Sequence, residues 1–99
     1  MSGIANGLVT VSSAGTAVRF TSATTPLKSI LVHATTGNAG NVFVGDSSVD
    51  STNTPPLAPD ETLEILFKNV DGETAGDLGD FYVDAANNGD TVTYFAVIL

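Results

Sequence analysis

The chain has no cysteine, no tryptophan and only three bases, Arg19, Lys28 and Lys68. Each shortage excludes something. Without cysteine there are no disulfides, thiolate metal sites or cysteine nucleophiles, and stability has to come from packing or from assembly. Eleven acids stand against the three bases, for a net charge of −8, so no basic patch exists to neutralise phosphates or to attract an anionic bilayer. Nucleic acid and membrane are therefore not expected partners. No stretch approaches the roughly 18 consecutive apolar residues that span a bilayer. Met1–Gly7 lacks the basic and apolar regions of a signal peptide, and the expectation is synthesis in a cytoplasm. Also missing is apolar recurrence at i, i+3, i+4 and i+7 beyond about two turns, the mark of an ordinary amphipathic helix.

What the 99 residues do hold is 42% hydrophobic residues together with 21 Ser plus Thr, 11 Val, 11 Ala and 10 Gly, a mixture that favours strands and turns. Seven segments read as strands. They are Leu8–Val11, Thr16–Thr21, Leu27–Ala34, Asn41–Val44, Thr62–Phe67, Phe81–Ala85 and Thr91–Ile98. Residues 12–15 read as a hairpin loop between the first two. The run Ile30-Leu31-Val32 is apolar on both faces, which predicts a strand central in its sheet. The connection from Asp46 to Asp60 holds Pro55, Pro56 and Pro59. It is stiff, poorly suited to a central strand, and long enough to be functional or to pack across a sheet. Short strands between Gly-rich turns, with long connections at 46–60 and 69–79, predict an all-β fold. The expected form is a single β-sandwich of jelly-roll or Greek-key type, with about seven or eight strands. Residues 8–99 form that sandwich in this reading, and residues 1–7 precede it as a flexible N-terminal arm.

Catalytic chemistry is sparse. His33, the single histidine, sits on the third strand among apolar neighbours and reads as structural, and no G-x-S-x-G turn accompanies it. Neither G-x-G-x-x-G nor G-x-x-x-x-G-K-[ST] occurs, so a nucleotide site is not expected. The acids are the candidates for a metal: Asp71, Glu73, Asp77 and Asp80 crowd one loop, and calcium favours oxygen-rich loops. A solvated acidic loop that aids solubility is the favoured reading of them. The run from Asp84 through Asn88-Gly89 imitates a calcium loop only in part, because its twelfth position is Phe95 where a glutamate is needed. No cofactor and no enzymatic activity are expected.

The succession Leu8-Val9-Thr10-Val11, Gly15-Thr16-Ala17-Val18, Gly40-Asn41-Val42-Phe43-Val44-Gly45-Asp46-Ser47-Ser48, Pro56-Leu57-Ala58-Pro59-Asp60-Glu61-Thr62-Leu63 and Asp80-Phe81-Tyr82-Val83-Asp84-Ala85 resembles small virion proteins of tailed bacteriophages. In that group a strand ending V-G-x-S, a P-L-x-P-G-x-S turn, a short aromatic strand and a closing T-V-x-Y strand recur in this order. One departure is Pro59-Asp60-Glu61, where the pattern has proline-glycine, and Asp also suits a turn. The resemblance implies a jelly-roll-like structural module of the head decoration, or cement, type. Its expected partner is the major capsid protein, with self-association as a homotrimer on the outer surface of the capsid head and synthesis in the bacterial host cytoplasm. The alternative is a tail, fibre or head-spike module that recognises a host-surface glycan. In the arm, Ser2, Gly3, Ile4, Ala5 and Asn6 are the expected partner contacts, through addition of a strand to a partner's exposed edge.

Overall fold

The computed structural model describes residues 3–67 and 76–98. Among these residues the elements in chain order are β1 (Gly3–Thr10), β2 (Val18–Arg19), β3 (Pro26–Ala34), β4 (Val42–Gly45), β5 (Thr62–Leu66), β6 (Gly76–Asp77), a one-turn 3-10 helix (Leu78–Asp80), β7 (Tyr82–Ala85) and β8 (Thr91–Ile98). The larger sheet runs β1-β8-β3-β5, with β6 also paired to β3. The smaller runs β2-β7-β4, and every pairing is antiparallel. Consecutive strands from β1 to β5 alternate between the sheets, which is the jelly-roll route expected from the long connections.

Alternation decides what each strand buries. In the larger sheet Val9, Ile30, Val32, Ala34, Val92 and Ala96 point inward and are buried. The smaller sheet answers with Val42, Val44, Val83 and Ala85 across the core. Leu27 joins them although it is an odd number of residues from Ile30, because the register slips between Leu27 and Ser29 opposite β8. This bulge turns Lys28 outward and lets Leu27 and Ile30 share the core face. At one end Phe20 and Tyr94 stack with ring centroids 5.4 Å apart.

Two expectations are corrected. Residues 12–15 are not a hairpin, since β1 lies in the larger sheet and β2 in the smaller. Val11, fully buried, carries the inward alternation of Val9 past the end of β1. Beyond it the chain crosses between the sheets, held by the Ala14 N–H on Asn88 Oδ1 (2.7 Å) and the Gly15 N–H on Asp84 Oδ1 (2.9 Å). The first strand also begins at Gly3, not at Leu8. Residues 3–7, read as an arm, lie in the ladder with β8 from Gly3 opposite Ile98 to Gly7 opposite Tyr94.

The 46–60 connection packs across the smaller sheet, one of the two roles its length suggested. Val49 is buried over Gly45, on the face that Phe43 shares. Leu57 then bridges Val42 by paired backbone hydrogen bonds of 2.8 and 2.9 Å. At the end of this connection Asp60 has φ of +75°, the left-handed region that favours glycine. The turn survives with aspartate because its backbone is tied down: the Asp60 N–H donates to Ala34 O, and the Ala34 N–H donates to Glu61 O, both at 2.8 Å.

Candidate interaction surface

The face of the larger sheet that points away from the core carries the unusual chemistry. Antiparallel register places its outward residues in rows across β1, β8, β3 and β5. One row is Ile4, Val97, Ser29 and Leu66; the next is Asn6, Phe95, Leu31 and Glu64; the third is Leu8, Thr93, His33 and Thr62. Among the described residues the exposed large hydrophobics are Ile4 (64%), Leu8 (61%), Leu31 (37%), Leu66 (74%) and Phe95 (48%), and all five stand in these rows. At roughly 150–200 Å² for a whole large side chain, these exposures amount to about 500 Å² of apolar surface on one face. That is the scale of the largest apolar patch on a typical single chain, which is often functional.

Ile4 and Asn6 of the expected partner contacts belong to this face. Gly3 and Ala5 alternate onto the other side of β1, and Ser2 lies outside the described residues. Pairing to β8 uses one side of the backbone of residues 3–7, and among the described residues β1 is an edge strand of the larger sheet, so its other side remains open to strand addition. Sequence reading missed Leu8, Leu31, Leu66 and Phe95. The signal was present in Ile30-Leu31-Val32, whose two apolar faces predict a central strand but not which face stays open. β3 is indeed central, yet its second face is open.

At the end of the rows His33 is half-buried, with Nε2 3.1 Å from Asp60 Oδ1, and the Thr36 hydroxyl donates to the same oxygen at 2.8 Å. Its cross-strand partners on this face are Thr62 and Thr93, while its chain neighbours Val32 and Ala34 are buried in the core. The Thr36 hydrogen bond, followed by that from His33, holds the Asp60 carboxyl below the usual carboxylate range. Both donors converge on Asp60, so the hydroxyl is tied to the carboxylate and not to the imidazole.

Two of the four calcium candidates, Asp77 and Asp80, fall among the described residues. Asp71 and Glu73 lie outside the described residues. Asp77 Oδ1 accepts from the Gly79 N–H at 2.8 Å and, with Oδ2, from the Thr25 N–H at 3.1 Å, so that it caps the 3-10 turn. Asp80 is exposed beside it, and among the described residues no three metal-binding side chains converge. In the partial calcium-loop imitation, Asp84 is buried and accepts from the Gly15 and Ala85 N–H groups, while Asn88 accepts from Ala14. Those oxygens serve the crossing loop.

A cavity of about 260 Å³ opens beside the 3-10 turn, lined by Phe67, Phe81, Asp46, Asp77, Asp80 and two glycines. The two rings meet edge to face at 6.3 Å. The Asp46 carboxyl is held below its ordinary range, first by the Ser48 hydroxyl at 2.6 Å and then by the Ser48 N–H. No family model matches the chain, and no curated protein matches it.

Proposed function

We propose that the chain is a non-enzymatic capsid decoration protein of a tailed bacteriophage, which binds the outer head lattice as a homotrimer and stabilises it. The observation that carries this reading is the apolar outer face of the larger sheet, about 500 Å² on a chain with a net charge of −8. A small domain without disulfides gains stability when such a face is covered by assembly. Bridging neighbouring copies of the major capsid protein adds contacts that must break before subunits separate, while the acids elsewhere keep the outward surface solvated. Heads stripped of the protein are expected to disrupt at a lower temperature than re-decorated heads, and equal disruption temperatures would count against the proposal.

One observation favours a second reading, a tail, fibre or head-spike module for a host-surface glycan. The cavity beside Asp46, Asp77 and Asp80 sets carboxylate acceptors next to two phenyl rings, a combination suited to sugar hydroxyls and the apolar faces of sugar rings. Glycan-array binding abolished by Asp80→Ala would favour it over capsid binding.

A further inference from the structure

We infer that copies of this chain associate with one another through the outer face of the larger sheet, around an axis parallel to its strands. The β1–β8 half of one copy then meets the β3–β5 half of the next. This rests on the proposed function only for the number of copies, three; the choice of face and of pairing comes from the register.

An axis along the strands leaves every row at its own level. It therefore brings Ile4 of one copy to Leu66 of the next, the two ends of a single row, and Phe95 to Leu31, the middle of another. Of the other positions, Leu8 faces Thr62 and Val97 faces Ser29, and the remaining two pairs are polar. Asn6 meets Glu64, an amide donor facing a carboxylate, and Thr93 meets His33. An axis running across the strands through the middle row instead pairs Phe95 with Phe95 and Ile4 with Leu8, but it sets Glu64 against the other copy's Glu64 and Leu66 against Thr62, which adds like-charge repulsion.

Charge also selects this face for self-contact. Of the nine acids among the described residues only Glu64 stands in the three rows, and Asp60 at their end is already paired with His33. Two strongly acidic chains can approach here with the least repulsion. The area is adequate: about 500 Å² of large apolar side chain plus the intervening polar rows approaches the roughly 800 Å² per partner of a standard interface.

The test uses the purified chain alone, which separates it from capsid binding. Sedimentation velocity should give a trimer, and Phe95→Asp or Leu31→Asp should weaken association at least about tenfold by burying an unpaired carboxylate. Both positions are exposed, so far-UV circular dichroism should be unchanged. Because the chain has no cysteine, the double variant Ile4→Cys, Leu66→Cys reports the pairing directly. Diamide oxidation should convert it to a covalent trimer on a non-reducing gel, whereas either single variant should not link into one. A trimer that survives Phe95→Asp and yields no covalent product overturns the inference and leaves threefold assembly standing. Linking of Ile4→Cys, Leu8→Cys in preference overturns the axis, and a chain monomeric at all concentrations overturns both inference and trimer.

Discussion

Gly7→Val sets two effects of opposite sign against each other, and the structure says which wins. Gly7 faces Tyr94 across β1 and β8. On strand preference alone, replacing a mid-strand glycine by valine stabilises by up to about 1 kcal/mol, through lower backbone entropy in the unfolded chain and a better fit to a pleated surface. But a Cβ at Gly7 would stand 2.9 Å from the Tyr94 hydroxyl oxygen and 3.1 Å from two ring carbons. Retreat of the ring is opposed by Phe20, which packs against it with ring centroids 5.4 Å apart and planes tilted by 44°. Overpacking of this kind costs about 1–3 kcal/mol, and valine adds two methyl groups beyond the Cβ. The expected net effect is a loss of about 1–2 kcal/mol, or roughly 5–15 °C in Tm for a domain of this size. Thermal melts followed by circular dichroism at fixed protein concentration read it. In a Tyr94→Leu background the obstructing hydroxyl and ring edge are gone, and Gly7→Val should become neutral or stabilising. A rise in Tm in the native background, or an equal loss in both backgrounds, would refute the reasoning.

Other outcomes follow from single residues. Asp84→Ala removes the acceptor of two N–H groups and should cost about 1–3 kcal/mol in a denaturant melt; Asp84→Asn, which keeps one acceptor oxygen, should cost less. Asp60 titrates below its ordinary value of 3.8 when folded. The stability it contributes is therefore present above about pH 4 and lost as pH falls through the lower folded value. Asp60→Asn should flatten that part of the acid limb in melts taken across pH, and an unchanged limb would remove the Thr36 and His33 hydrogen bonds from the account. Calcium should leave Tm unchanged, because the Asp77 and Asp84 oxygens already accept backbone N–H groups; a rise of several degrees would restore a metal site.

The strands were legible where side chains alternate. Thr91–Ile98 coincides with β8, and Leu27–Ala34 is one residue short of β3. Residues 3–7 were not legible as strand, since Gly3, Ala5, Asn6 and Gly7 have little strand preference of their own. Their extended form comes from the ladder with β8. The bulge at Lys28 was hidden for a related reason: one slipped residue moves Leu27 to the core face, and no local residue type announces it. β2 is short because only Val18 and Arg19 find a ladder partner in β7. The crossing loop before it depends on Asp84 and Asn88, about 70 residues away. The interaction face was half legible. Leu31 on the second face of β3 was visible in the pattern, but only the register of four strands brings Ile4, Phe95, Leu31 and Leu66 onto one surface.

The central claim is that this chain coats the outside of a phage head. A cryo-electron density map of the intact virion tests it most directly, because it gives location and copy number together. The expected result is a jelly-roll density on the outer head surface at local three-fold positions, three copies to each, bridging adjacent capsid subunits. Density for this fold at a tail or fibre tip, with none on the head lattice, would contradict it.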